Sequence, residues 1–270
     1  MMDPNHELPD MACEVHSGRG PYLLLVHGLL SSRAQWDLNL RALSEVARPV
    51  VVELFGHGRS PSPEGAEFFS PTHYVSAFER LRESLGAERW LVCGQSLGAA
   101  LTLRYALDHP DRTIAQIFTN SNSALAPADW IRATKPAMEA LALSIAERGR
   151  DAIDRLPIHP KRALNLPPAI RDALIADCEL HSPDGIAKTA LHTVSSSSVR
   201  DRIAANRVPT LLVRGEREKR FAEPAAFAAK TMPLLESVDI SAGHAVNIEA
   251  AAEFNASATN FFARAAGWSA

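Results

Sequence analysis

Residues 90–100 read Trp90-Leu91-Val92-Cys93-Gly94-Gln95-Ser96-Leu97-Gly98-Ala99-Ala100. The apolar run at 90–93, without polar alternation, predicts a strand buried on both faces, and the small residues at 98–100 predict a helix that opens at once. Between them, G-x-S-x-G puts one serine on a sharp strand-to-helix turn, which lifts its hydroxyl above the sheet and aims the next backbone N–H at the same space. Glycine is needed on either side because a Cβ would strike the neighbouring strand or helix. Ser96 is therefore a candidate nucleophile, with a plain helix cap as the competing reading.

Outward from this turn the same rhythm repeats. Leu23-Leu24-Leu25-Val26, Pro49-Val50-Val51-Val52-Glu53-Leu54, residues 114–119, Val208-Pro209-Thr210-Leu211-Leu212-Val213 and Ser237-Val238-Asp239-Ile240 are further short apolar runs that end near Gly, His or Asn. Helical spacing lies between them: Trp36, Leu40 and Leu43 share a face, as do Tyr74, Phe78, Leu81 and Leu85, and residues 99–107 continue in the same style. Alternating strand and helix predict an α/β fold, a mostly parallel, doubly wound sheet with chemistry at the carboxyl ends of the strands.

The rhythm stops over 125–206, where Ala-rich helical stretches are cut by Pro127, Pro136, Pro157, Pro160, Pro167, Pro168 and Pro183. Strand-like sequence resumes at Val208. The middle third is thus expected to be a helical insertion into one domain, with core parts at 1–124 and 207–270.

Composition narrows the partners. The 270 residues carry 28 Lys+Arg against 31 Asp+Glu, a net charge of -3, with no basic block, so nucleic acid and anionic membranes are not expected. Three cysteines, Cys13, Cys93 and Cys178, have no paired spacing, which argues against disulfides or a zinc site. The N-terminal stretch has acids and prolines where a secretory leader has a basic head and an apolar run. No apolar run approaches the roughly 18 residues that span a bilayer. The expectation is a cytoplasmic protein, monomer or homodimer, that takes a small-molecule substrate.

A serine hydroxyl is a weak nucleophile and needs a base, itself oriented by a third group. Of ten histidines, His244 stands out because it follows Ser241-Ala242-Gly243, just after the last apolar run. That places it on the same sheet edge as Ser96. The loop after 208–213, Arg214-Gly215-Glu216-Arg217-Glu218, supplies two carboxylates, either of which could orient His244 or simply pair with the surrounding basic residues. The loop His27-Gly28-Leu29-Leu30-Ser31-Ser32 can offer a backbone N–H to an oxyanion alongside that of Leu97. His27, and His57 in Gly56-His57-Gly58-Arg59-Ser60, read as hydrogen-bonding braces of tight turns rather than as second bases.

The order of these motifs resembles the α/β-hydrolase superfamily: strand-H-G, then G-H-G-x-S, then G-x-S-x-G, then a carboxylate three residues after a glycine, then G-H near the C-terminus. The resemblance spans residues 21–262. It implies Ser96 as nucleophile, His244 as base, and the N–H groups of Leu29 and Leu97 as oxyanion donors. It favours Glu218, three residues after Gly215, as the acid over Glu216. Glu stands there in place of the usual Asp, and its extra methylene requires the loop to adjust. Residues 125–206 match the helical cap that the family inserts between its sixth and seventh strands. A serine at 96 argues against the relatives with an Asp nucleophile.

The H-G-L-L-S-S loop looks similar to that of carbon–carbon hydrolases and of the menaquinone-pathway lyase, although Ala99-Ala100 stands where the lyase tends to carry an arginine. Candidates for substrate contact are Leu30, Arg33, Gln95 and Trp130. Arg33 and Trp36 read equally well as a helix-opening Arg beside a core Trp. The expected function is that of a serine hydrolase that cleaves a small apolar ester or thioester through an acyl-enzyme, with no metal or organic cofactor. Alternatives are carbon–carbon hydrolysis of a β-diketone or dienoate, or a receptor that keeps these residues for sensing.

Overall fold

A computed structural model describes residues 9–267, so the first eight residues of the N-terminal stretch read above lie outside the described residues. Its strands are β1 (Cys13–Val15), β2 (Tyr22–Val26), β3 (Arg48–Val52), β4 (Trp90–Gly94), β5 (Thr113–Phe118), β6 (Thr210–Gly215) and β7 (Leu235–Ile240). They form one sheet in the order β1-β3-β2-β4-β5-β6-β7, antiparallel only where β1 meets β3. The helices are α1 (Asp37–Leu43), α2 (Pro71–Ser84), α3 (Leu97–Asp108), α4 (Ala128–Arg148), α5 (Arg150–Asp154), α6 (Pro168–Cys178), α7 (Pro183–Lys188), α8 (Ala222–Thr231), α9 (Val246–Glu249) and α10 (Ala251–Ala265).

The central strands lack polar alternation because helices cover both faces. Leu23 and Leu25 of β2 pack with Trp36, Leu43, Phe254 and Phe262, from the side of α1 and α10. Leu24 and Val26 point the other way, onto Tyr74, Phe78, Leu101 and Tyr105 of α2 and α3. After β2 the chain moves outward to β3 and returns to β4 on the opposite side of β2. That reversal opens a crevice at the carboxyl edge, where Val26 sits beside Gly94, so the loops after β2 and β4 emerge side by side.

Three sequence expectations need correction. Cys13–Val15 is a short antiparallel edge strand that no buried-strand pattern announced, since two of its three residues are exposed. β7 is not covered on both faces: residues 236–239 are exposed, because it is the outermost strand, and Glu236 and Asp239 suit such an edge. Pro136 does not break a helix but lies inside α4. It is exposed there, so water can reach the carbonyl that its missing N–H leaves unpaired. The helices α4 to α7 leave the sheet after β5 and return to it at β6. Among the described residues, no helix is long and apolar enough to cross a membrane.

Candidate active site

Ser96 sits between β4 and α3 with φ 53 and ψ -115, a left-handed φ that an L-residue adopts at a cost of order 1–3 kcal/mol. The flanking glycines make this geometry possible. A Cβ on Gly94 would lie 2.3 Å from the Gly98 carbonyl oxygen, and one on Gly98 would lie 2.1 Å from that of Val26. Strand, turn and helix therefore approach more closely than any side chain permits. The result is a hydroxyl presented at the N-terminus of α3, where the helix dipole favours negative charge.

Two backbone donors face this region. The turn after β2 closes with Ser31 N–H donating to the Gly28 carbonyl at 3.3 Å, while Gly28 N–H donates to Gln35 Oε1 at 3.3 Å and Leu30 N–H to His57 Nε2 at 3.4 Å. The N–H groups of Leu29 and Leu97 have no hydrogen-bond acceptor among the described residues. An unpaired N–H is ordinary in the first turn of a helix and less so in a turn, and both residues line one cavity with Ser96.

His244 follows β7 and lines the same cavity. Its Nδ1 lies 2.8 Å from Glu218 Oε2. An ionised carboxylate only accepts, so Nδ1 carries a proton, and in the neutral ring the lone pair is then on Nε2. Asn120 donates to Glu218 Oε2 at 2.8 Å, and Asn122 to Oε1 at 2.9 Å. Burial pushes the Glu218 pKa up, but the bonds from His244, Asn120 and Asn122 outweigh it and hold the group below the ordinary carboxylate range. No hydrogen bond joins Ser96 to His244 among the described residues; catalytic contacts of this kind often tighten only around a substrate.

Supports that sequence reasoning missed hold these loops. Asn120, just past β5, exchanges two 2.9 Å bonds with Gly215, donating to its carbonyl and accepting from its N–H, which ties the Glu218 loop to the sheet. Glu249, its side chain almost fully buried, accepts from the N–H groups of Gly243 and Ala245 on either side of His244, at 2.8 and 3.2 Å. Gln35 in the turn before α1, Asn39 of α1 and Asn247 of α9 form a buried amide network. Their only sequence signal is amide residues inside otherwise apolar helical patterns.

The cavity is about 620 Å³. Leu29, Trp130, Ile158, Leu166, Leu174 and Val194 give it an apolar wall, mostly from the inserted segment. Leu30 and Gln95 also line it, and Gln95 donates to the His244 carbonyl at 3.1 Å. Arg33 is elsewhere: its guanidinium pairs with Glu14 and its N–H donates to Glu53. Trp36 is fully buried in the core, and Glu216 is exposed and outside the cavity lining. His27 bridges its own strand end to the next loop, with Nδ1–H donating to the Gly28 carbonyl and Nε2 accepting from Leu54 N–H. One cavity thus gathers a hydroxyl on a strained turn, a carboxylate-oriented imidazole and two unpaired N–H donors, the components of acyl transfer chemistry.

Comparison with known proteins agrees with the fold. The family described as alpha/beta hydrolase fold matches residues 21–152. A (Lyso)-N-acylphosphatidylethanolamine lipase of Homo sapiens is 32% identical over 127 residues, 41% of this chain and 36% of that protein, so the match spans about a third of the lipase. A putative 2-succinyl-6-hydroxy-2,4-cyclohexadiene-1-carboxylate synthase of Bacillus subtilis is 24% identical over 235 residues, covering 84% of this chain and 85% of that one. The structure of MenH from S. aureus superposes with a TM-score of 0.82 at 18% identity, over 94% of this chain and 98% of that chain. Sheet order, strand-to-helix turn and family match together give the chain the α/β-hydrolase fold.

Proposed function

We propose that the protein is a serine hydrolase that cleaves a small carboxylic ester or thioester with an apolar acyl group. The observation that carries this reading is the 2.8 Å bond from His244 Nδ1 to Glu218 in the cavity that also holds Ser96. Ser96 Oγ attacks the carbonyl while His244 Nε2 takes its proton, and Glu218 stabilises the imidazolium. The N–H groups of Leu29 and Leu97 bind the oxyanion, donors of a kind worth about 3–4 kcal/mol each to the transition state. The leaving alcohol or thiol takes the proton from His244. Water, activated by the same imidazole, then attacks the acyl-enzyme and releases the acid. The apolar wall selects the acyl group.

Kinetics with p-nitrophenyl esters tests this: turnover by the wild type, lost in Ser96→Ala, is expected. Absence of turnover for every ester and thioester would reject it.

A second reading has its own support. Arg162 and Arg220 line the cavity, and the Bacillus subtilis relative is named for a carboxylate product. On this reading the substrate is anionic and cleaved at a carbon–carbon bond, with Ser96 and His244 moving protons. Ala99 and Ala100 are fully buried and apolar, however, so the first turn of α3 adds no charge to the site. Turnover of a vinylogous β-diketone bearing a carboxylate, with no ester turnover, would decide for this alternative.

A further inference from the structure

We infer that His57 is a positioning residue: it holds Leu30 in a left-handed conformation and thereby keeps the turn that presents the Leu29 N–H to the reaction. The inference rests on the proposed role of that N–H.

Leu30 has φ 55, and apart from Ser96 and Leu234 no other non-glycine residue among those described has a positive φ. It is the third residue of the turn Gly28-Leu29-Leu30-Ser31, closed by the Ser31 N–H to Gly28 carbonyl bond. A positive φ at that position marks the turn type in which glycine is the usual resident. The alternative turn, with negative φ there, rotates the peptide between Leu29 and Leu30 and turns the Leu30 N–H away.

The structure supplies a grip on that peptide. His57 Nε2 accepts the Leu30 N–H at 3.4 Å, and His57 is kept in the tautomer that can accept because its Nδ1–H donates to the Phe55 carbonyl at 3.1 Å. The ring is fully buried between those of His27 and His181, with centroids 5.2 and 5.1 Å away. From the inserted helices, Cys178 Sγ donates to the Leu30 carbonyl at 3.6 Å, and the Leu30 side chain packs on Ile145, Ile153 and Ile186. Core and insertion thus meet on one strained residue, next to the proposed oxyanion donor. Burial keeps His57 neutral, its pKa pushed down to about 3, so the acceptor persists at neutral pH.

The test uses the chemistry of the strain. His57→Phe keeps a ring in the slot and removes the acceptor, whereas His57→Gln keeps an acceptor. In each background Leu30 is replaced by Gly, which takes a positive φ freely, and by Ala, which loses a similar side chain but keeps the Cβ. Turnover of a p-nitrophenyl ester is read together with hydrogen exchange of the peptide covering 27–32. His57→Phe should lower kcat about tenfold or more with KM within twofold, and His57→Gln should lower it much less. In the Phe background Leu30→Gly should recover kcat and exchange protection relative to Leu30→Ala. Should His57→Phe not fold, His57→Ala serves in its place.

Equal kcat for the Gly and Ala variants in the background lacking the acceptor would overturn the inference, as would an unchanged kcat in folded His57→Phe. If the wild type turns over no ester, the functional reading fails, and exchange alone judges the grip: protection that Gly restores and Ala does not upholds it, and identical exchange rejects it.

Discussion

Asn120 grips Glu218 and Gly215 with one amide: its Nδ2 donates to Glu218 Oε2 at 2.8 Å and to the Gly215 carbonyl at 2.9 Å, while its Oδ1 accepts the Gly215 N–H. The carboxylate that meets His244 is therefore fixed to the end of β6 rather than left to a mobile loop. Asn122 fills the other oxygen. On the proposed mechanism a glutamate stands where the resemblance leads one to expect aspartate, and two amides fix the end of the longer side chain.

Glu218→Gln removes the charge that stabilises the imidazolium, and its amide can present a donor to Nδ1 instead of an acceptor. On the proposed mechanism kcat should fall about a hundredfold or more with little change in KM. Asn120→Ala should give a smaller fall, because it loosens the carboxylate without removing it. Steady-state kinetics on purified variants checks both, and full activity in Glu218→Gln would move the role elsewhere.

Gly98→Ala should unfold the protein or destabilise it by about 1–3 kcal/mol or more, because the new Cβ meets backbone, 2.1 Å from the Val26 oxygen and 2.7 Å from that of His27. Strand and helix cannot both give way without moving Ser96. Urea denaturation measures this, and wild-type stability in the alanine variant would contradict the close packing.

Acid should destabilise the fold below about pH 6.5. His27, His57 and His181 are buried, and desolvation lowers their pKa values from 6.5 to about 3, 3 and 2. The unfolded chain therefore binds protons that the folded chain refuses. Their contribution is fully present above pH 6.5 and is lost as pH falls toward the folded values, by up to about 1.4 kcal/mol per pH unit for each ring. The facing groups do not reverse the sign: Arg150, donating to the carbonyls of Cys178 and His181, further opposes ring protonation, and the Cys178 thiol is raised to about 12 and stays neutral. Asp177 favours ring protonation at His181, but that ring remains strongly depressed. Denaturation at pH 7.5 and 5.0 should show the loss, and His57→Gln should reduce it.

The apolar wall predicts a chain-length dependence. Each added methylene that reaches it should raise kcat/KM about fourfold, from roughly 0.8 kcal/mol per buried CH2, until the cavity is full. Trp130→Ala should move the optimum to longer acyl chains. An acyl series of p-nitrophenyl esters measures this, and a flat series would remove the wall from the recognition of substrate.

The sequence made the sheet and its turns legible because their causes are local. An unbroken apolar run such as residues 90–93 has one reading when a glycine-flanked serine and small residues follow, and φ 53 at Ser96 is the local consequence. Tertiary causes stayed hidden. Asn120 pairs with a loop 95 to 98 residues away, and Asn39 with Asn247 across 208, so nothing near either residue signals its role. Arg33 reads as a cavity residue or a helix opener, and only the position of Glu14 on β1 decides. Exposure misled at β7, where Ile240 is buried but residues 236–239 of this outermost strand stand open to water.

The central claim, that Ser96 is a nucleophile activated by His244, is tested most directly by a fluorophosphonate probe followed by peptide mapping. The account predicts one adduct on the peptide that carries Ser96, absent in Ser96→Ala and strongly slowed in His244→Ala. Ester turnover that persists in Ser96→Ala, or an adduct found on another residue while Ser96 stays unlabelled, would contradict it.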